Sequence, residues 1–214
     1  GTSEATAIAL IAQLRRCTCP VVVDADALNI LASHRAWMQQ LPKNLIFTPH
    51  PRELDRLAGI TSSNCTERLF KACELADRLH GYILLKGHFS ALCHPDGKVE
   101  FCSTGNTVIA TAGSGDVLTG IITALLARGY KQVDAARIGM YLHGLAGVLA
   151  VKDLGKESLI ASDIIDYLPK GTYVFEYSTR VQLKGTYQTG IAEIQCMYAP
   201  EFNSHSESFE LTVQ

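Results

Sequence analysis

Apolar residues at Ala7, Leu10, Ile11 and Leu14 have helical spacing, so the chain opens with an amphipathic helix. Pro20 then precedes Val21-Val22-Val23, an unbroken apolar run of the kind expected for a strand buried on both faces, and Asp24 ends it. Helical spacing returns around Leu28 and Leu31. Two further short apolar runs follow, Leu45-Ile46-Phe47 and Tyr82-Ile83-Leu84-Leu85, with a helical pattern over residues 65–80 between them. Short strands alternating with helices predict an α/β fold: a mainly parallel sheet with helices on both faces.

The rhythm then changes. Phe89 to Cys93 and Val99 to Cys102 flank His94-Pro95-Asp96-Gly97-Lys98, whose Pro and Asp-Gly predict a hairpin. A loop rich in Gly and Thr covers 103–115, and helices are expected near 116–128, 133–152 and 162–168. Ser162 and Asp163 open the last of these and Pro169 ends it. Over residues 171–214 the composition turns aromatic, with only Arg180 and Lys184 as basic residues. Alternation in residues 173–177 and 208–213 predicts exposed-face strands. The expected organisation is therefore an α/β domain over 1–170 and a β-rich tail over 171–214.

Composition excludes several classes. With 47% hydrophobic and 19% charged residues among 214, the chain is not intrinsically disordered. A net charge of −2 builds no nucleic-acid footprint. No apolar run reaches the roughly 18 residues of a membrane span, since residues 138–151 are interrupted by His143 and glycines. Seven cysteines at irregular spacing, without Cys-x-x-Cys, fit buried thiols in a reducing compartment better than disulfides or a metal site, so a cytoplasmic location and no protein-held metal are expected. No secretory signal is visible at the start, and residue 1 is not Met.

The strongest chemical signal is Thr111-Ala112-Gly113-Ser114-Gly115-Asp116, directly before an apolar helix. Glycines admit a ligand close to the backbone, and the free N–H groups of a helix start attract anions. The segment is neither a Walker A loop nor a dinucleotide fingerprint, because the Gly-Lys-Ser/Thr of the one and the third glycine of the other are missing. Asp116, in the first helical turn, is placed to take a proton from a substrate hydroxyl. A capping role for Ser114 or Asp116 explains the same residue types.

Three predicted strand ends join this loop at one edge, where open α/β sheets bind ligands. Asp24-Ala25-Asp26-Ala27-Leu28-Asn29 offers carboxylates for a metal or a ribose, although Asp26 also suits a helix cap. Thr48-Pro49-His50-Pro51-Arg52-Glu53 holds His50 between two prolines that fix the backbone. Lys86-Gly87-His88-Phe89-Ser90 places a cation and a glycine where a phosphate or nucleotide would lie. The other histidines receive an ordinary surface or core reading.

These motifs, together with Gly105-Asn106 and the run from Ala110 to Gly120, resemble in order and spacing the ADP/ATP-dependent NAD(P)H-hydrate dehydratase family. The resemblance covers about residues 1–168. It implies a ribokinase-like fold and a repair reaction: an adenine nucleotide phosphorylates the hydroxyl of the S-epimer of hydrated NADH or NADPH, and phosphate loss restores the dinucleotide. Carried over by position, Asp116 is the catalytic proton acceptor. His50, Asn106, Asp24, Asn29 and Asp116 bind the hydrate. Lys86, Gly87, His88, Phe89, Ser90, Gly113, Ser114 and Gly115 bind the nucleotide. ADP or ATP and Mg²⁺ are the implied cofactors. A homo-oligomer, and fusion to or action with an NAD(P)H-hydrate epimerase, are compatible with the resemblance.

The chain departs from the family pattern at Gly105-Asn106-Thr107-Val108-Ile109-Ala110, where Gly-Asn-Pro-Gly-Met-Ala is usual, and Gly1-Thr2-Ser3 aligns with the end of a Gly-Pro-Gly-Leu-Gly segment. The expectation is an amino-terminally incomplete domain. Two other readings compete: a ribokinase-like small-molecule kinase that keeps its phosphorylated product, and a non-catalytic binding module. The segments 24–29 and 48–53 favour the dehydratase over the kinase.

Overall fold

The computed structural model describes residues 1–43, 45–87, 89–104 and 111–169, with the backbone of four short strands between 185 and 213. By compactness the chain divides into two units, 1–170 and 171–214.

In the first unit, α1 (Glu4–Arg16) starts at Ser3, whose Oγ accepts the Thr6 N–H, and it buries Ala7, Ile11 and Leu14. Glu4 in its first turn and Arg15 and Arg16 in its last oppose the helix dipole favourably. Strands β1 (Val21–Val23), β2 (Leu45–Phe47) and β3 (Tyr82–Leu85) are parallel, with Val21 opposite Leu45 and Ile46 opposite Tyr82. The predicted hairpin is β4 (Ala91–Cys93) and β5 (Val99–Phe101), added antiparallel to β3. The sheet is therefore mixed, in the order β1-β2-β3-β4-β5.

Period two along the strands sorts their side chains between two cores. Val23, Leu45, Phe47, Ile83 and Cys93 face one side. There they pack with α1, α2 (Asp26–Ser33), the 3₁₀ turn Arg35–Gln40, α3 (Pro51–Ala58) and α4 (Cys65–Leu79). Ile46, Leu84 and Leu92 face the other side, against α5 (Ser114–Ala127) and α6 (Gln132–Leu154). Helices thus cover both faces, as the run of fully buried residues in β2 requires.

Two elements escape the periodicity. Helix α3 spans eight residues, too short to establish a helical period beside its prolines, and the 3₁₀ turn buries only Met38. The last helix, α7 (Ala161–Asp166), is shorter than expected. Its Asp163 lies inside the first turn and reaches back to the Ile160 N–H.

In the second unit, β6 (Gly185–Gln188) pairs antiparallel with β9 (Glu210–Val213), and β7 (Glu193–Gln195) with β8 (Asn203–His205). The strand expected at 173–177 lies outside the described residues. Among the described residues, no helix is long and apolar enough to cross a membrane.

Candidate active site at the carboxyl edge of the sheet

The parallel ladder continues past the strand ends. Thr48 N–H donates to Val23 O at 3.1 Å, and Lys86 N–H to Pro49 O at 2.9 Å. These bonds hold Asp24, the His50 turn and Lys86 side by side at one edge. Lys86 Nζ lies 2.8 Å from Asp24 Oδ1, and the Thr119 hydroxyl donates to Asp24 Oδ2 at 3.0 Å. Both oxygens of this largely buried carboxylate are thereby engaged.

The α5 start reaches the same pair. Gly113 has φ 84°, a left-handed conformation that glycine adopts without strain, and it turns the chain into the helix. A Cβ on Gly115 would stand 3.3 Å from Lys86 Nζ and 3.7 Å from Asp24 Oδ2, so the bare backbone lets the helix approach. Thr119 is one turn further along the same helical face. Neither Ser114 nor Asp116 caps α5, because Gly113 holds the cap position and no side-chain cap bond is present. Asp116 is exposed and makes no hydrogen bond or ion pair among the described residues. Its carboxylate and the uncapped N–H groups beside it remain available to a ligand.

His50 behaves differently. It is the N-cap of α3: its Nδ1 accepts from Arg52 N–H at 3.1 Å and from Glu53 N–H at 3.3 Å, while Glu53 Oε2 accepts the His50 N–H at 2.8 Å. Two acceptor bonds at Nδ1 put the ring proton on Nε2, which lies 3.5 Å from Glu53 Oε1. The imidazole is thus fixed in tautomer and direction, and it is still 44% exposed.

Asn29, on α2, accepts Arg56 Nη1–H on Oδ1 at 2.6 Å and does not touch the Asp24 cluster through any described bond. Asp26 opens α2 without capping it. The cap position belongs to Ala25, which at φ 50° and ψ −122° lies in a region that costs a non-glycine residue about 1–3 kcal/mol. That strain sits directly between the edge carboxylates. Gly87 and Phe89 are exposed beyond β3, and Ser90 O anchors the hairpin by accepting Cys102 N–H at 2.9 Å. His88 and Asn106 lie outside the described residues.

Two contributors carry no sequence signal of their own. Thr119 is legible only through its spacing of four from Gly115. His143 has no local cue at all, being a histidine on the otherwise small-residue face of α6, yet its Nε2–H donates to Ser114 O at 2.9 Å and braces the Gly loop. Burial lowers the pKa of this imidazole, the Ser114 carbonyl draws it back up, and the Lys86 ammonium lowers it again. Its neutral form is therefore favoured.

Among the described residues no three His, Cys, Asp or Glu side chains converge on a point that could hold a metal ion. Mg²⁺ usually takes only one or two carboxylates, completing its shell with substrate phosphates and water. An ion that arrives on a nucleotide's phosphates would therefore need no protein-built cluster.

Known proteins are similar to this chain. Residues 1–170 match the family model described as NAD(P)H-hydrate dehydratase, and residues 156–201 match that of the bacterial alpha-2-macroglobulin MG10 domain. A bifunctional NAD(P)H-hydrate repair enzyme of Moorella thermoacetica is 45% identical over 157 residues, which cover 73% of this chain and 30% of that one. The ADP/ATP-dependent NAD(P)H-hydrate dehydratase of Bacillus subtilis, co-crystallised with ATP and Mg²⁺, superposes with a TM-score of 0.68 at 31% identity, over 78% of this chain and 59% of that one. A ribokinase-like superfamily protein of Enterococcus faecalis gives 0.66 at 25% identity, over 79% and 58%. The fold of residues 1–170 is thus ribokinase-like. The chain spans about a third of the Moorella relative's length and well over half of either structural neighbour's.

Proposed function

The chain belongs to the NAD(P)H-hydrate dehydratase family, and on that premise we propose that residues 1–170 form a nucleotide-dependent dehydratase domain for the S-epimer of hydrated NADH and NADPH. The observation that carries this reading is the uncapped α5 start, where Gly115 lies against Lys86 and Asp24 and the next residue, Asp116, has no partner among the described residues. A capping carboxylate would have been consumed by the helix; this one is left to a substrate.

In the proposed reaction Asp116 accepts the proton of the hydrate hydroxyl as its oxygen attacks the terminal phosphorus of ATP or ADP, whose bond to the bridging oxygen breaks. Phosphate then leaves carbon with the electron pair of the C–O bond, the adjacent carbon loses a proton, and the ring double bond of NAD(P)H is restored. Phosphoryl transfer mostly demands positioning and charge stabilisation. The N–H groups of Ser114 and Gly115 and the Lys86 ammonium supply donors for the transferred group. The pairing of Lys86 with Asp24 fixes that ammonium and uses one of its three N–H bonds. Mg²⁺ would supply further neutralisation of phosphate charge when bound. His50, held by its own cap, presents Nε2–H to the hydrate, and the resemblance assigns Asp24, Asn29 and Asn106 to the same ligand. The resemblance assigns Gly87, His88, Phe89 and Ser90 to the nucleotide.

Among the described residues no cysteine is in a disulfide, and a reducing, cytoplasmic setting belongs to the same reading. Residues 171–214 form a separate segment outside the dehydratase reaction. An NAD(P)H-hydrate epimerase, fused or acting separately, is the corresponding partner, and self-association of the domain is compatible with the reading.

The test mixes the chain with hydrated NADH, Mg²⁺ and either ADP or ATP and follows near-ultraviolet absorbance. Nucleotide-dependent return of NADH is expected, and the effective nucleotide identifies the phosphate donor. A sample that binds nucleotide, shown by a rise in melting temperature, but restores no NADH would overturn the dehydratase reading in favour of a kinase. No melting shift at saturating nucleotide would favour a non-catalytic module.

A further inference from the structure

A second concavity lies between α2 and α3. It is a cleft of about 700 Å³ lined by Asn29, Arg35, Arg52, Asp55, Arg56 and Gly59 among others, within the size range of small-molecule sites. Its charges do not cancel. Arg35 Nη2–H donates to the main-chain oxygen of Arg56 at 2.9 Å, and Arg56 Nη1–H donates to the side-chain amide oxygen of Asn29 at 2.6 Å. Both partners are neutral. Arg52 has no side-chain partner among the described residues. The one carboxylate in the lining, Asp55, is already held by Arg68 at 3.2 Å and by the Ser62 hydroxyl at 2.8 Å, so it neutralises none of the three.

The guanidinium of Arg35 is also placed by design of the backbone. It occupies the volume that a Cβ on Gly59 would fill, and Gly59 has φ 74° at the end of α3. Two arginines are therefore oriented by neutral acceptors and a third is left open, which is how a protein holds positive charge ready for an anion.

The cleft opens from the edge already described. Arg52 donates its main-chain N–H to His50, and Asn29 lies five residues after Asp24 on α2. From Arg52 to Gly59 the α3 axis runs about 10 Å, at 1.5 Å per residue. We propose that this cleft binds the phosphate groups of the dinucleotide substrate, while its hydrated ring lies at His50 and Asp116. This inference rests on the dehydratase reading for the identity of the ligand. It adds a substrate-positioning role for Arg35, Arg52 and Arg56, and it assigns them no part in the chemistry.

The experiment titrates NADP⁺, which carries the same phosphates without the reactive hydroxyl, into the full chain saturated with a non-hydrolysable ATP analogue and Mg²⁺. Arg52→Ala is the main variant because that side chain holds no partner among the described residues. Arg52→Ala combined with Arg56→Ala is the stronger one. NADP⁺ affinity is expected to fall about tenfold in the double variant and to lose part of its salt dependence, with affinity for the ATP analogue unchanged within twofold. Unchanged NADP⁺ affinity in the variants, or no NADP⁺ binding by a wild-type chain that binds the analogue, overturns the proposal. Arginine-dependent NADP⁺ binding without any binding of the analogue keeps the cleft and removes the dehydratase reading.

Discussion

Two helices, α3 and α5, begin at the same edge of the sheet and satisfy their first N–H groups in opposite ways. The start of α3 is closed by its own residues: His50 accepts two backbone N–H bonds and Glu53 returns one. The start of α5 is left open, with glycine in the cap position and no side chain turned back on it. A closed start yields a rigid helix with a fixed imidazole at its mouth. An open start yields donors and a carboxylate without partners among the described residues. An acid in the first turn is thus tied into its own helix start in one place and left out of it in the other.

The contrast is broken most directly at Asp116. Asp116→Asn should reduce turnover about 10²–10⁴-fold, the usual worth of a general base, with nucleotide affinity little changed. Because the carboxylate caps nothing, stability should stay within about 0.5 kcal/mol. Activity within a few-fold of wild type would end the proton-acceptor assignment. A loss of about 1 kcal/mol in urea denaturation would show a cap after all.

His50 should answer in the reverse order. His50→Ala removes the cap and should cost about 1 kcal/mol of stability. Asn caps helices well, so His50→Asn should recover most of that stability. The KM for the hydrate should remain raised about fivefold, the worth of one hydrogen bond of about 1 kcal/mol. Recovery of both stability and KM in His50→Asn would reduce His50 to a cap.

The smallest effect concerns the brace under the open start. His143 has its pKa lowered by burial in the folded chain, so as pH falls through the ordinary value of 6.5 the unfolded chain takes up a proton that the folded one resists. Stability from this group is complete above 6.5 and is lost below it. The melting temperature should therefore fall as pH drops from 7.5 to 5, and His143→Gln should flatten that slope. Glu100, lowered from 4.5 to about 2 chiefly by its hydrogen bonds to Arg137, loses its contribution below this window. Equal slopes in wild type and variant would remove His143 from the account.

Much of this molecule is legible in its sequence because the signals are local. The apolar runs at 21–23, 45–47 and 82–85 mark buried strands, the Pro and Asp-Gly of 94–98 mark the hairpin, and the glycines of 113–115 mark a turn into a helix. Helix α3 was hidden because eight residues between proline and glycine hold too few turns to establish a period.

What a polar side chain does was decided by tertiary structure. Asp24, Asp26 and Asp116 are the same residue type near helix starts. Yet Asp24 is engaged by Lys86 and Thr119, 62 and 95 residues away, while Asp116 has no partner among the described residues. His143 is an ordinary histidine until α6 carries it under Ser114. Spacing along the chain fixes which residues share a strand or a helical face. Whether a polar group is consumed or left to a ligand depends on partners brought within about 3 Å by folding, and at that range the nearest available donor or acceptor decides.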